Sequence, residues 1–283
     1  MILDGKALAR SLCKEMETSM SRLPGRKPHL AFLLVGDHPA SQTYVNAKKK
    51  ACAATGMDST LITLPKHALQ NELLENIAAL NANPLIDGIL VQLPLPSQID
   101  EKVVMIAIDP KKDVDGFHPL NVGKMLLGDD SGYLPCTPQG IQALLHRNQI
   151  PVEGKRVVIV GRSNIVGKPL AAILMQKKNH CNATVTIAHS QSEHLIEITR
   201  SADILVACLG RPHFIKKEMV RPKATIIDVG INRLEEGKLV GDVDFEEVSK
   251  IASHITPVPG GVGPMTIAML LQNTLLSYKR STC

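Results

Sequence analysis

Tryptophan is absent from this sequence, and only three tyrosines and four phenylalanines occur in its 283 residues. Leu, Ile, Val and Ala must therefore build the core, and there is no aromatic platform on which nucleic-acid bases would stack. Basic blocks are scarce too. The formal charge is +5, and the densest run is Lys48-Lys49-Lys50. No nucleic-acid partner is expected, although a mild attraction for anionic small molecules remains. The six cysteines, at 13, 52, 136, 181, 208 and 283, form no C-x-x-C pair. A chain this long needs no disulfides, so they read as reduced thiols in a cytoplasmic protein. The ten histidines contain no H-E-x-x-H, and no metal is expected. No run of 18 apolar residues exists and no apolar leader follows Met1, so no membrane association is expected.

What is present is a long alternation of strands and helices. The chain exceeds the size at which a single core stops growing, which predicts two domains. Apolar runs closed by glycine or proline predict strands at 29–35, 59–64, 88–93, 157–160, 184–188, 204–209 and 225–229. Amphipathic stretches predict helices at 8–20, 41–56 with Ser41 as its N-cap, 69–80, 101–108, 139–148, 170–178, 193–200 and 265–278. Residues 109–119 and 256–264 read as loops. This alternation means parallel sheets with crossover helices. The fold class expected is α/β: two α/β domains around a cleft, the second a Rossmann-type dinucleotide-binding domain. Residues 1–137 plus 265–283 form the first domain and 138–264 the second.

Four stretches offer chemistry. In Val157-Val-Ile-Val-Gly161 through Gly167-Lys-Pro169, a strand, a glycine turn and a helix start converge. Free backbone N–H groups and the helix dipole would favour an anion there. The spacing is not G-x-G-x-x-G, so an ordinary strand-to-helix turn fits equally well. The next strand ends in Ala188-His189-Ser190, without the carboxylate that holds a ribose hydroxyl in NAD sites. Arg162 and Ser190 suit a 2′-phosphate instead, which favours NADP.

Tyr44 and Lys48 are four apart on one helix and share a face. A lysine beside apolar neighbours loses hydration and its pKa falls, which fits it for proton transfer. Periodicity does not separate Lys48 from Lys49, and a snorkelling surface lysine has the same pattern. Gln92 is the only polar side chain in an apolar strand, at the C-terminal end where open α/β sheets place ligands. Asp113 and Asp115 flank Val114 in a loop. Either closes an Asx turn or accepts two parallel N–H bonds from a flat ligand. Finally, three glycines between prolines at 259–264 let a backbone approach a ligand closely, or form a hinge.

Taken together, these stretches resemble one family. Tyr44-Val45-Asn-Ala-Lys48-Lys-Lys50 and Pro259-Gly-Gly-Val-Gly-Pro264 are similar to its two signature segments. Val91-Gln-Leu-Pro-Leu-Pro96, Lys112-Asp-Val-Asp-Gly-Phe117, Cys136-Thr-Pro-Gln-Gly140 and Gly161-Arg-Ser-Asn-Ile-Val-Gly167 match in the same order. The family is the bifunctional methylenetetrahydrofolate dehydrogenase/methenyltetrahydrofolate cyclohydrolases. The resemblance spans essentially the whole chain. It implies oxidation of 5,10-methylenetetrahydrofolate with NADP, then hydrolysis of the methenyl product to 10-formyltetrahydrofolate. It implies that Lys48 is the key catalytic residue, helped by Tyr44 and Gln92, and that Asp115 binds the pterin. Pro259, Gly260, Gly261, Val262, Gly263 and Pro264 would touch substrate. Thr137, Gly161, Arg162, Ser163, Gly167, Ser190, Cys208, Gly210 and Ile231 would bind the cofactor. Tetrahydrofolate derivatives are the expected partners, and a homodimer is the expected assembly. A monofunctional dehydrogenase and a non-catalytic folate- or nucleotide-binding protein are the alternatives.

Overall fold

A computed structural model describes residues 1–23 and 25–282; Cys283, one of the expected free thiols, lies outside them. In chain order the main elements are α1 (Gly5–Met20), β1 (His29–Val35), α2 (Pro39–Thr55), β2 (Asp58–Leu64), α3 (Gln70–Ala82) and β3 (Gly88–Val91). Then come α4 (Glu101–Ala107), α5 (Pro119–Leu127), α6 (Cys136–Arg147), β4 (Arg156–Val160), α7 (Gly167–Leu174), β5 (Thr184–Ala188) and α8 (Leu195–Arg200). The chain closes with β6 (Ile204–Ala207), β7 (Thr225–Asp228), β8 (Asn232–Arg233), β9 (Leu239–Val240), α9 (Phe245–Val248), β10 (His254–Ile255) and α10 (Val262–Thr282).

The chain divides into two compact units. One is residues 10–136 with the segment from Ile267 onward; the other is Met1–Ala9 with Thr137–Thr266. The first nine residues were expected in the first domain. They lie in the second unit because Leu3 donates to the Ile255 carbonyl and Ile255 back to that of Met1, continuing β10 in a way hydrophobic periodicity does not reveal.

The first unit has a parallel sheet in the order β2-β1-β3. β1 is central, and six of its seven residues are buried, as a strand covered on both faces requires. Edge strand β2 alternates exposed and half-buried residues. On one face Ala31, Leu33 and Val35 pack with Leu73, Ile77 and Leu80 of α3 and Val104 of α4. Each such Leu, Ile or Val, fully buried, contributes about 1.5–3 kcal/mol. β1 connects first to β2 on one side, and the chain then returns to β3 on the other. The gap beyond the C-terminal ends of β1 and β3 is therefore a topological switch point.

The second unit repeats the scheme with five parallel strands in the order β10-β7-β6-β4-β5. In the order of their appearance this is 2-1-3-4-5, a doubly wound sheet whose switch point lies between β4 and β6. Val158, Val160, Leu205, Ala207 and Ile226 form its core with Ile215, Val243 and Val248.

Several local expectations are corrected. Ser41 is not the cap of α2. The helix begins at Pro39 after His38, because proline at the first turn gives up no hydrogen bond, and Ser41 is buried inside the helix. Gly56 does end it, at φ 81°. The last helix starts at Val262 rather than 265, so half of the glycine-rich loop is its first turn. Helix α7 runs from Gly167 to Leu174, earlier than 170–178. α5 follows residues read as loop, capped by His118 Nδ1 accepting from the Leu120 amide at 3.1 Å. The short β8, β9, α9 and β10 are too brief to carry periodicity.

Candidate active site

Both switch points hold the residues picked out above. In the first unit, the Gln92 amide donates to the Leu33 carbonyl at 2.9 Å, which fixes Gln92 directly beyond β3. Its Nε2 donates to the Leu93 carbonyl at 2.6 Å, so its Oε1 is presented outward. That oxygen accepts from Lys48 Nζ at 3.0 Å. Lys48 lies near the middle of α2, the crossover helix leaving the C-terminal end of β1. Tyr44, one turn earlier, is 39% exposed and is available to a ligand. The spacing left Lys48 and Lys49 unresolved; the Gln92 bond singles out Lys48.

The loop carrying Asp113 and Asp115 is held alongside β3: Ile89 donates to the Lys112 carbonyl at 2.9 Å, and Ile89 and Asp113 form a parallel bridge. The two carboxylates then divide their roles. Asp113 is buried and accepts from the Gly116, Phe117 and His118 amides and from Asn121 Nδ2. It is the internal turn. Asp115 is not part of that turn; it lies beside the Cys136 thiol and within electrostatic reach of Lys48.

Electrostatics follow from this proximity. Burial lowers the Lys48 pKa, while the charge of Asp115 opposes the fall. Burial raises the pKa of Asp115, and Lys48 opposes that rise. Burial, with Asp115 adding to it, drives the Cys136 thiol well above its ordinary value, so it is a neutral donor and not a nucleophile. The group as a whole is a lysine that releases its proton more readily than usual, an amide that orients it, and a carboxylate able to accept two parallel N–H bonds.

Two residues here were not singled out. Cys136 Sγ donates to the Val114 carbonyl at 3.3 Å and lies beside Asp115. Buried Asn273 of α10 donates to the carbonyls of Val114 at 2.8 Å and Leu134 at 3.0 Å. The available signal for Asn273 was weak: it sits beside Gln272 and Thr274 in a helical stretch otherwise rich in Leu, Met and Ala.

In the second unit the glycine turn lies at the C-terminal end of β4. Gly161 has φ 131°, and a Cβ there would come 2.3 Å from the Cys208 carbonyl oxygen. A Cβ on Gly167 would come 2.2 Å from the Gly161 carbonyl oxygen. Side chains are thus excluded from the cradle at the start of α7. Ser163 Oγ accepts from the Val166 and Gly167 amides at 3.1 and 3.4 Å, so its hydroxyl is committed to this turn. Val160 and Ala188 are register partners, which puts exposed Arg162 and exposed Ser190 just beyond adjacent strand ends. No carboxylate occurs between 188 and 192. This donor set fits a dinucleotide with a 2′-phosphate.

Cys208 donates its amide to the Val160 carbonyl at 3.0 Å. Gly210 lies in the same turn at φ 68°. Ile231, 47% exposed, follows β7, and a Cβ on Gly263 would come within 3.8 Å of it. Thr137 Oγ1 lies 3.0 Å from Thr266 Oγ1, facing α10. Pro259 follows a cis peptide, Gly260 has φ 112°, and Gly260 accepts from the Lys6 amide at 2.8 Å. Val262, Gly263 and Pro264 form the first turn of α10. The 259–264 segment thus belongs to the second unit, whereas Tyr44, Lys48, Gln92 and Asp115 belong to the first.

Comparison with known proteins agrees across the chain. Residues 3–115 match the family described as tetrahydrofolate dehydrogenase/cyclohydrolase, catalytic domain, and residues 135–282 match its NAD(P)-binding domain. The chain is 54% identical over 291 residues to the "Bifunctional protein FolD" of Prosthecochloris aestuarii, covering 99% of both chains. Among solved structures, the bifunctional methylenetetrahydrofolate dehydrogenase/cyclohydrolase of Campylobacter jejuni is 50% identical with a TM-score of 0.96, covering 99% of each chain. The Trypanosoma brucei dehydrogenase-cyclohydrolase, solved with NADP cofactor and inhibitor, is 38% identical with a TM-score of 0.93, covering 99% of this chain and 98% of that one.

Proposed function

The chain belongs to the tetrahydrofolate dehydrogenase/cyclohydrolase family, and on that premise we propose how its own residues divide two reactions. It is a bifunctional enzyme, an NADP-dependent methylenetetrahydrofolate dehydrogenase and a methenyltetrahydrofolate cyclohydrolase. The first unit carries the folate chemistry, and the second holds the dinucleotide.

One observation carries the assignment of roles: the Lys48–Gln92 hydrogen bond beside Asp115. The pterin ring presents an N–H beside an amino group, and the Asp115 carboxylate accepts both. Tyr44 packs against the bound ring from the same helix face as Lys48. When bound, NADP accepts a hydride from the methylene carbon. The protein's task in that step is alignment, which needs no acid or base. The glycine cradle at 161–167 takes the phosphates, and Arg162 with Ser190 takes the 2′-phosphate. The turns at Cys208–Gly210 and Ile231, with Thr137 at the start of α6, line the cofactor, and the 259–264 segment offers its backbone to a ligand.

The second reaction does need proton transfer. The methenyl carbon is an iminium-type electrophile. Water adds to it and loses a proton, leaving a carbinol; the ring nitrogen N5 then accepts a proton as its bond to carbon breaks, and the carbinol hydroxyl releases its proton to solvent as the formyl C=O forms. Neutral Lys48 takes the first proton and returns it to N5, and Gln92 aims its Nζ. Burial, which lowers the lysine's pKa, keeps more of this neutral form near neutral pH.

Incubation with 5,10-methylenetetrahydrofolate and either NADP or NAD tests the reading. Reduced cofactor and 10-formyltetrahydrofolate should appear together, faster with NADP. Methenyl accumulation without accelerated hydrolysis would reject the lysine mechanism. The five described cysteines are free thiols, which supports a reducing cytoplasm as the location, and among the described residues no helix is long and apolar enough to cross a membrane. A homodimer remains part of the proposal, and light scattering checks it.

A further inference from the structure

Asp242 is fully buried, yet neither the motifs nor the mechanism above uses it. Its Oδ2 accepts from the amides of Leu209 at 2.6 Å and Gly210 at 3.0 Å. Its Oδ1 accepts from the Arg211 amide at 2.8 Å and from Asn232 Nδ2 at 2.9 Å. The four bonds reach two separate segments, one after β6 and one after β7. These segments carry Cys208, Gly210 and Ile231.

The β8–β9 hairpin delivers Asp242 to this place, since Asn232 pairs with Val240. A second buried acid, Asp228 at the end of β7, holds the hairpin's exit. Its carboxylate accepts from the amides of Gly230, Asp242 and Val243 at 2.9–3.0 Å. The fit leaves no slack. A Cβ on Gly230 would come 2.3 Å from Asp242 Oδ1, and one on Gly241 would come 1.8 Å from Asp228 Oδ2.

We propose that Asp242 is a positioning residue for cofactor binding: one buried carboxylate ties the 209–211 turn to Asn232, next to Ile231 at the start of β8, and sets the backbone against which NADP lies. It touches no substrate and acts through the backbone it holds. A carboxylate is needed because all four partners are donors. An amide in its place would turn an NH2 group toward two of them, leaving buried donors unsatisfied. This inference rests on the proposal that Cys208, Gly210 and Ile231 contact the cofactor.

The test is Asp242→Asn in the full-length enzyme. The KM for NADP should rise about tenfold, the equivalent of one lost charge-assisted bond. The kcat at saturating NADP and the KM for 5,10-methylenetetrahydrofolate should stay within about twofold, a split that general loosening of the fold would not give. Should that variant fail to fold, Asn232→Ala removes only the cross-link between the two segments, and about a threefold rise in the same KM is expected. An unchanged KM for NADP in whichever variant folds overturns the inference. Hydrogen exchange on the unaltered enzyme separates the two ideas. NADP should slow exchange at 208–211 and 231. Absence of that slowing rejects the cofactor contacts themselves, and with them this proposal. Slowing together with an unchanged KM in the variants rejects only the role of Asp242.

Discussion

Lys48 Nζ lies 3.0 Å from Gln92 Oε1, and the Gln92 amide is locked in that orientation by its own bond to the Leu93 carbonyl. The pair joins a crossover helix to a strand end 44 residues later. Five expected outcomes follow from this pair and from the groups around both switch points.

Lys48→Met should lower cyclohydrolase turnover by about 100-fold or more, the usual worth of a positioned acid–base group. The thioether fills similar space, so the melting temperature should hold. Hydrolysis at the full rate in a folded variant would remove Lys48 from the mechanism.

The pH profile tests the electrostatics. Burial lowers the Lys48 pKa, and the Asp115 charge opposes that fall. Cyclohydrolase activity should therefore rise with pH to a plateau reached below the ordinary lysine range. Asp115→Asn removes the opposing charge, so the rising limb should move to lower pH. A shift to higher pH would contradict the coupling.

Asp115→Ala should weaken folate binding by roughly 10–100-fold, as expected for loss of a paired, charge-assisted contact. NADP binding should not change. Fluorescence titration with each ligand separates the two, and unaltered folate affinity would disprove the pterin contact.

Arg162→Ala should raise the KM for NADP by about tenfold, as loss of one charged contact to a phosphate predicts. The KM for NAD, which lacks the 2′-phosphate, should be nearly the same as before. Equal losses with both cofactors would exclude Arg162 from that site.

Asp228 makes a prediction about stability. Burial raises its pKa to about 7 in the folded protein, against 3.8 for a free group. The folded state therefore holds a proton that the unfolded chain releases. This contribution is fully present below pH 4 and is lost as pH rises to about 7. Its size is on the order of 4 kcal/mol at most. Urea unfolding at pH 5 and pH 8 should show a smaller difference between the two pH values for Asp228→Asn than for the original protein. Identical differences would show that Asp228 does not titrate in this range.

Much of this architecture was legible from the chain. β1 matches its expected span because seven consecutive apolar or half-buried positions, closed by a glycine, admit little else. Gly56 ends α2 as expected, since only a left-handed residue turns the chain there at low cost. Ser41 misled because a good capping side chain was outweighed by Pro39, two residues earlier. α5 went unseen because its capping group is a histidine ring nitrogen, outside the usual set of capping side chains.

At the site, the sequence supplied residue types without their relations. Local periodicity left Lys48 level with Lys49 and Asp113 level with Asp115, since neighbours on one helix or in one loop have nearly identical local environments; the family motifs named Lys48 and Asp115 without showing what holds them. The tie was broken by specific hydrogen bonds: Gln92, 44 residues along, for the lysine, and the nearby 116–118 amides with Asn121 for Asp113. The sequence by itself determined the alternation of strands and helices, the glycine turns and the family motifs, because these depend on local periodicity and backbone conformation. Only the tertiary structure decided what aims Lys48 and that Asp242 joins two distant segments. Those are properties of burial and hydrogen bonding, which exist only once distant segments meet.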